Sequence, residues 1–170
     1  MLPGVGAFFD GMRELNDRGL VDPLRIAFAS GNPVLGICLG MQMLFSESDE
    51  HTLTHGLGII PGRVEAIENQ RNSGGWRKTP HIGWAELLVP EGQQNESTLL
   101  FDGLKKNPFG YFVHSYACVA NDRSAVIREC EYEGVRISAA VRQGNVFGCQ
   151  FHPEKSGELG LQIINNFLNI

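Results

Sequence analysis

The sequence predicts an α/β fold in which a mixed sheet is flanked by helices, and three observations lead to this prediction. A short apolar run at residues 34–37 has the composition of a buried strand and turns directly into a helix-forming run. Many strand-like segments follow, and helical patterns lie near both ends of the chain. With 170 residues, the chain has the length of one domain and can bury a substantial core.

The first part of the chain predicts a loop and two helices. Residues 1–8, M-L-P-G-V-G-A-F, contain a proline and two glycines, which favour an irregular loop. Apolar residues among polar ones predict an amphipathic helix over residues 8–20. A second helix is predicted over residues 23–29, because Pro23 suits an early helical position and Gly31 lies just past the end.

Beyond residue 45 the sequence predicts mostly strands. Residues 46–55 are polar and acidic and predict a surface loop, residues 56–67 predict turn and strand segments, and residues 69–80 predict another loop. Short strands are predicted over residues 82–89, 110–119, 124–132, 137–142 and 146–151. A closing helix is predicted over residues 158–168, with these side chains buried: Leu159, Leu161, Ile163, Ile164, Phe167 and Leu168.

Composition argues against several classes of protein. A net charge of −5 without a cluster of basic residues argues against a nucleic-acid binder. No apolar run has the length of a membrane span, and the first residues do not resemble a signal peptide, so we expect a cytoplasmic protein without a membrane partner. The cysteines lack C-x-x-C spacing and therefore indicate reduced thiols; they are Cys38, Cys118, Cys130 and Cys149.

Cys38 lies at the switch from strand to helix in residues 33–45, P-V-L-G-I-C-L-G-M-Q-M-L-F. Gly36 and Gly40 flank it in the G-x-nucleophile-x-G pattern of a nucleophile elbow, where a tight turn requires glycine. The positive end of the helix is expected to lower the pKa of the thiol and favour the thiolate. The alternative is that Cys38 is a small buried hydrophobic residue, as most free cysteines are.

A second motif, F-G-C-Q-F-H-P-E-K-S at residues 147–156, contains His152 and Glu154. Residues two apart in an extended segment face the same way, so Glu154 is placed to orient the His152 imidazole. By itself, a His-Pro-Glu sequence is more often a surface turn. Combined with Cys38 at an elbow, it predicts the nucleophile, base and orienting group of an acyl-transfer enzyme.

Other candidates for chemistry are weaker. His51 and His55 have a spacing that suits a metal on a helix, but their segment is loop-like and has no evident third ligand, so we expect no metal and no cofactor. His114 is an alternative base without a carboxylate at a suitable spacing. Cys149 is expected to pack under the sheet.

The motifs G-I-C-L-G-M-Q, Q-F-H-P-E-K-S and P-G-V-G resemble those of class I (triad-type) glutamine amidotransferases. More narrowly, L-P-G-V-G-A-F, H-I-G-W, Y-F-V-H-S-Y and F-H-P-E-K-S resemble the glutaminase subunits of imidazole glycerol phosphate synthase. The matches span nearly the whole chain in the right order. The resemblance implies a single flavodoxin-like amidotransferase domain over residues 1–170. It also implies histidine biosynthesis, in which ammonia from glutamine passes to a (β/α)₈-barrel cyclase subunit as heterodimer partner.

The resemblance further implies roles for individual residues. Cys38 would attack the side-chain amide of glutamine, His152 would act as base and acid, and Glu154 would orient His152. The Leu39 amide and the backbone of Gly4, Val5 and Gly6 would form the oxyanion hole. Substrate would be bound by Gln42, Glu50, Ser115 and Tyr116, and the cyclase would meet Trp84, Tyr111 and Lys155. For Trp84 and Tyr111, ordinary core packing is an equally weighted alternative.

Two departures from the family leave alternatives open. The family has a further βαβ portion before P-G-V-G, so the chain resembles an N-terminally truncated member, in which the strand over residues 34–37 would become an exposed sheet edge. Ala85 follows G-W where the family usually has asparagine, which puts one interface contact in question. The alternatives are a paralogue that feeds ammonia to another synthase, a non-catalytic truncated fragment, and a cysteine peptidase. Several such peptidases place histidine directly after the cysteine, whereas Leu39 follows Cys38 here.

Overall fold

The structure is a computed structural model that describes residues 1–70, 74–92, 99–104 and 108–170. Its α-helices are α1 (Phe8–Asp17), α2 (Val21–Ala29), α3 (Leu39–Met43) and α4 (Gly157–Leu168). Its strands are β1 (Leu2–Gly4), β2 (Val34–Cys38), β3 (Phe45–Ser48), β4 (Thr54–His55), β5 (Ile60–Ala66), β6 (His81–Glu86), β7 (Phe109–His114), β8 (Tyr116–Ala120), β9 (Val126–Tyr132), β10 (Val135–Gln143) and β11 (Val146–Cys149). The predicted mixed α/β architecture is confirmed.

The nucleophile strand β2 lies inside a five-stranded sheet with the order β1-β2-β11-β10-β9. It pairs in parallel with β1 on one side and with β11 on the other, while β10 runs antiparallel to β11 and β9. All residues of β2 are buried, as expected for a strand covered on both faces. Because β1, β2 and β11 are parallel, their carboxyl ends lie at the same end of the sheet, and the segments that follow them begin close together.

The edge strand next to β2 is β1, so β2 is not itself an edge of the sheet as the sequence predicted. Leu2, Pro3 and Gly4 pair with Gly36, Ile37 and Cys38, so β2 has a neighbour on each side. The same pairing corrects the prediction of a loop over the whole of residues 1–8. Pro3 is compatible with an edge position, because an edge strand does not need every backbone N–H for pairing.

Two smaller sheets extend the structure, one with the order β4-β3-β5-β8 and one formed by β6 and β7. The prediction of a surface loop over residues 46–55 is wrong, because β3 and β4 lie there and pair with each other. The polar residues of this segment concealed the strands, because Ser46, Glu47 and Ser48 do not show the alternation of apolar and polar residues that is typical of a half-buried strand. The strand predicted over residues 110–119 is divided at Ser115 into β7 and β8, which belong to different sheets.

Apolar side chains cover both faces of the five-stranded sheet. Successive residues fall into different clusters, so that Val34 packs with Phe8 and Met41 on the face of α1–α3, while Leu35 packs with Ile163 and Phe167 of α4. On α4, Leu161 and Leu168 are 65% and 67% exposed, so their predicted burial is wrong. Within the described residues, no helix combines the length and the apolar character that crossing a membrane requires.

Candidate active site

Cys38 forms the strained turn between β2 and α3. Its φ of 52° and ψ of −110° are rare for a residue with a side chain. A Cβ atom added to Gly36 would lie 2.7 Å from the Gly40 carbonyl oxygen, and one added to Gly40 would lie 1.7 Å from the Leu2 carbonyl oxygen. The predicted strand-to-helix turn is confirmed, and both flanking positions require glycine because backbone passes so closely.

The turn opens onto a cavity of about 380 Å³, a size that suits a small ligand. Cys38 and His152 line it together. The other lining residues come from the loops around the sheet edge: Val5, Gly6, Leu39, Gln42, Glu50, Val113, His114, Ser115 and Tyr116. Of the residues predicted to act in catalysis, in the oxyanion hole or on the substrate, only Gly4 and Glu154 do not line the cavity. Gly4 pairs with Cys38 in the sheet, and Glu154 contacts His152.

The His152 ring is oriented by Glu154 and has one free nitrogen. Nδ1 lies 2.7 Å from the Glu154 carboxylate oxygen Oε1, to which it donates its hydrogen. Nε2 is buried and has no hydrogen-bond partner within the part of the chain that the structure describes. A buried polar atom without a partner is unusual and calls for an explanation. On a cavity wall shared with a thiol, Nε2 is placed to accept a proton.

The backbone of His152 is held in place by β7 and by Ser156. The His152 N–H donates to the Tyr111 carbonyl oxygen over 2.8 Å. The Ser156 hydroxyl donates to the His152 carbonyl oxygen over 2.6 Å and accepts the Tyr111 N–H over 3.0 Å. Ser156 was not predicted from the sequence, because its role depends on contacts with a strand far away in the chain. These hydrogen bonds fix the position of the His152 backbone relative to the Tyr111 backbone in β7.

Burial raises the pKa of the Cys38 thiol above its ordinary value. The Leu39 N–H and the Gln150 side chain lower this pKa by hydrogen bonding, but they do not outweigh the loss of solvent. The expectation that the elbow lowers the pKa of the Cys38 thiol is therefore wrong. A thiol of this kind needs a base to remove its proton, which is the position His152 occupies.

The backbone near Cys38 offers hydrogen-bond donors to the cavity. The Leu39 N–H donates to the Cys38 sulfur. Gly6, which also lines the cavity, has a φ of 106°, which only glycine adopts without strain. Val5, next to it, is mostly exposed. Both predicted oxyanion segments therefore reach the cavity that Cys38 lines.

The predicted substrate-binding residues differ in which of their polar atoms are already hydrogen-bonded within the protein and which are left for a ligand. Gln42 donates both amide hydrogens within the protein, to the Tyr116 carbonyl oxygen over 3.3 Å and to Gln150 Oε1 over 3.1 Å, so its own oxygen is left for a ligand. Glu50 accepts the Phe8 N–H at the start of α1 over 2.7 Å, which fixes its carboxylate at the cavity. Ser115 is fixed through its carbonyl oxygen, which accepts the Ile67 N–H.

His114 lines the cavity but has both ring nitrogens occupied. Nδ1 donates to the Tyr116 carbonyl oxygen over 2.7 Å, so Nε2 must accept from His81 Nδ1, 3.2 Å away. Burial lowers the pKa of each of these histidines to about 4. With no nitrogen free and a neutral ring at neutral pH, His114 does not fit the role of alternative base.

The buried His81–His114 pair predicts a loss of stability in mild acid. Both pKa values lie below the ordinary value of 6.5, so the unfolded chain takes up these protons first. The stability contributed by the neutral rings is complete above pH 6.5 and is lost as the pH falls towards 4. We expect His81→Gln to show a weaker fall in unfolding free energy over this range than the unchanged protein, measured by urea unfolding at several pH values. The exposed His51→Gln is the control, and an equal fall in all three would contradict the prediction.

The outward face of the β6–β7 hairpin is apolar and adjoins the cavity. Ile82 pairs with Val113 across the strands, and Trp84 pairs with Tyr111, their ring centroids 5.8 Å apart. Trp84 is 56% exposed, so core packing does not explain it. Ala85 is 8% exposed and faces the core, so the departure from the family at this position does not change the outward face.

The remaining predicted residues lie apart from this cavity or face solvent. Lys155 is exposed in the short turn that follows His152. Cys118, Cys130 and Cys149 are buried, and burial raises the pKa of each thiol. Cys149 packs in the apolar core, as predicted. Among the described residues, no group of three potential ligands for a metal ion comes together.

Comparison with known proteins gives consistent matches over the whole chain. The family profile "Glutamine amidotransferase class-I" matches residues 2–170. A Legionella pneumophila (strain Lens) protein named imidazole glycerol phosphate synthase subunit HisH 1 is 42% identical over 170 residues, which cover 100% of this chain and 80% of that protein. The subunit HisH of Geobacillus thermodenitrificans (strain NG80-2) is 45% identical, covering 100% of this chain and 76% of that protein. A solved structure titled "Crystal structure of glutamine amidotransferase" has the same fold, with a TM-score of 0.67 at 21% identity over 98% of this chain and 75% of that chain.

Proposed function

The chain belongs to the class-I glutamine amidotransferase family, and from this premise we propose that it is the glutaminase subunit of an imidazole glycerol phosphate synthase, acting in histidine biosynthesis. The names of its HisH relatives support this assignment, since the similarity covers the whole chain. We also propose that residues 1–170 act as one amidotransferase domain. The observation that carries the proposal is the unpartnered Nε2 of His152 in the cavity that Cys38 also lines.

In the first half-reaction, His152 Nε2 takes the proton of the Cys38 thiol, and the sulfur attacks the side-chain amide carbon of glutamine. A C–S bond forms, and the electron pair of the C=O bond moves to the oxygen. The Leu39 N–H and the segment Gly4–Val5–Gly6 donate to this oxyanion. The protonated His152, stabilised by Glu154, then gives its proton to the amide nitrogen. Ammonia leaves, and the γ-glutamyl group remains on Cys38 as a thioester.

In the second half-reaction, His152 takes a proton from water, whose oxygen attacks the thioester carbon. A second tetrahedral oxyanion forms at the same place, so the same donors stabilise it. When the C–S bond breaks, the sulfur takes its electron pair and His152 returns the proton to it. Glutamate leaves, and Cys38 is restored as a thiol. As proposed, both steps use only groups of this chain, glutamine and water.

Recognition of glutamine uses the far wall of the cavity. The Glu50 carboxylate, held by the Phe8 N–H, is placed to pair with the α-ammonium group. The free oxygen of Gln42 accepts a hydrogen bond from the same end of the substrate. The backbone of Ser115 and Tyr116 grips the amino-acid end. These contacts leave the side-chain amide of glutamine directed towards Cys38.

The surface proposed for the (β/α)₈-barrel cyclase is the outward face of the β6–β7 hairpin, together with Lys155. This face is apolar and exposed, and it borders the cavity at Val113. Large exposed apolar patches commonly mark protein–protein contacts. Its position lets ammonia pass from the cavity towards the partner. The proposed complex is a cytoplasmic heterodimer whose cyclase subunit carries the lyase activity.

The proposed function is tested by supplying glutamine to the chain in complex with a (β/α)₈-barrel cyclase and the ribulosyl-carboxamide nucleotide. We expect imidazole glycerol phosphate and glutamate to form in equal amounts. Ammonium salts in place of glutamine serve as the control for the cyclase alone. If the complex forms but makes product only from ammonium salts, the chain is not its glutaminase. If no complex forms, the paralogue alternative takes precedence.

Trp84→Ala is expected to weaken binding of the cyclase about 30-fold or more. Removing a central aromatic side chain from an interface commonly costs about 2 kcal/mol or more, and Trp84 is stabilised on the outward face by its edge contact with Tyr111. Binding is measured by titration calorimetry of the two purified subunits. Ile26→Ala, at another exposed apolar residue, is the matched control and should bind normally. Equal affinities for both variants would place the interface elsewhere.

A further inference from the structure

Gln150 is a buried polar residue that neither the motifs nor the proposed triad accounts for. It follows β11 directly and is fully buried, and its backbone N–H donates to the Ala139 carbonyl oxygen. Its side-chain nitrogen Nε2 lies 3.8 Å from the Cys38 sulfur, within hydrogen-bonding distance for sulfur. Gln150 precedes His152 by two residues, and the chain bends at residues 150 and 151 between β11 and His152.

A chain of hydrogen bonds determines which end of the Gln150 amide faces the sulfur. The Tyr116 carbonyl oxygen can only accept, so the Gln42 group 3.3 Å from it must be the NH₂ group. The same NH₂ group lies 3.1 Å from Gln150, whose facing atom must therefore be the oxygen. The NH₂ group of Gln150 is consequently directed at Cys38, and this orientation cannot reverse without breaking the contact with Gln42.

We propose that Gln150 is a positioning residue for the nucleophile, whose oriented NH₂ group holds the Cys38 sulfur and stabilises it as a thiolate. Gln42 and the Tyr116 carbonyl oxygen maintain the orientation of that group. The inference deepens the proposed function, because it rests on Cys38 being the nucleophile. It assigns to the buried amide a contribution distinct from those of His152, which moves the proton, and Leu39, which donates from the backbone.

The electrostatics of the cavity explain why such a donor matters. The sulfur is buried, and the Glu154 carboxylate behind His152 disfavours a second negative charge nearby. A hydrogen bond from an amide to an anion is stronger than one to a neutral thiol. Gln150 therefore favours the ionised sulfur over the neutral one. The Gln150 amide also holds the Cys38 side chain in place for attack. The hydrogen bond from Gln42 restricts the movement of the Gln150 amide itself.

The test is the pH dependence of Cys38 alkylation by iodoacetamide in the full chain, followed by mass mapping of the peptide. Gln150→Met removes the donor with little change in volume, and Gln150→Glu keeps the shape and the oxygen but replaces the donor with an acceptor. Asn166→Leu, which removes an amide that binds the Leu100 and Asp102 carbonyl oxygens far from the cavity, is the control. Thermal unfolding shows which variants fold cooperatively.

We expect both Gln150 variants to be alkylated about tenfold more slowly at pH 7, with the midpoint of the pH profile moved to higher pH by about one unit. The plateau rate at high pH should stay within about twofold, because the thiolate itself is still accessible. The control should keep the profile of the unchanged protein. A folded Gln150→Met with that unchanged profile would show that Gln150 only packs.

If neither Gln150 variant unfolds cooperatively, the pH profile of Cys38 alkylation is measured in Gln42→Leu instead. This substitution leaves Gln150 in place but removes the group that orients it, so the midpoint should move in the same direction. An unchanged midpoint would overturn the proposal. Alkylation needs no glutamine, so failure here is distinguishable from failure of the proposed function, which appears as a normal alkylation profile without glutamine hydrolysis.

Discussion

Cys38→Ala abolishes glutamine hydrolysis in our account, while the complex with the cyclase still makes product from added ammonium salts. The thioester needs a sulfur nucleophile, and among the described residues Cys38 is the one cysteine that lines the cavity with His152. Loss of a nucleophile from a triad typically lowers turnover by about 10⁴-fold or more. Synthesis from ammonium salts bypasses that step and reports on the cyclase alone.

The measurement compares the rates of product formation from glutamine and from ammonium chloride in the same complex. Cys118→Ala is the matched control, because Cys118 is also buried but lies in the core beside β5. It should keep both rates. Glutamine-dependent turnover by purified Cys38→Ala at more than a trace level would exclude Cys38 as the nucleophile. Loss of both rates would instead indicate that the substitution had disturbed the complex.

Gly40→Ala is expected to lower glutamine turnover by at least about 100-fold, the loss expected when an oxyanion donor is displaced. Its Cβ would lie 1.7 Å from the Leu2 carbonyl oxygen, so β1 and the elbow must separate. Leu2 belongs to β1, which leads directly into the segment Gly4–Val5–Gly6. A displaced β1 therefore moves one set of oxyanion donors away from Cys38. Overpacking against backbone also lowers stability by about 1–3 kcal/mol.

Turnover and urea unfolding of Gly40→Ala are compared with those of Gly11→Ala. A Cβ added at Gly11 meets the Met43 sulfur at 2.8 Å and the Leu39 Cδ2 atom at 3.1 Å, but both atoms lie near the ends of flexible side chains and not in the backbone, so they can move. Alanine also has a higher helix propensity than glycine, so Gly11→Ala is expected to be tolerated. Gly40→Ala with normal turnover would show that the contact between β1 and the elbow does not position the oxyanion segment.

The parts of the site that could be predicted from sequence are those fixed by local spacing. The elbow at Cys38 depends on residues within two positions of it. The contact between His152 and Glu154 was also predicted, but from an extended segment, whereas Pro153–Lys155 forms a short 3-10 turn that brings Glu154 to the imidazole. Gln150 has the same spacing before His152 and could have been noticed for that reason. Its role depends on Gln42 and Tyr116, however, and no local pattern places those side chains beside it.

The features that the sequence predicted wrongly depend on contacts between distant parts of the chain. The pKa of Cys38 is raised because burial outweighs the hydrogen bonds at the elbow, and burial is a property of the assembled cavity. Strands β3 and β4 were missed because most of their residues are polar, although Ser48 is buried in the structure. The position of Ala85 under the hairpin could not be read from a motif, because the neighbouring Trp84 faces the opposite way.

The most direct test of the central claim is to trap the acyl-enzyme. The complex is mixed with glutamine and nucleotide acceptor, quenched in acid during turnover, and digested for mass spectrometry. Our account predicts a γ-glutamyl group, labile to hydroxylamine, on the peptide that contains Cys38, and no such group in Cys38→Ala. Steady glutamine hydrolysis with the thioester on another cysteine, or with no acyl group on Cys38 at any quench time, would contradict it.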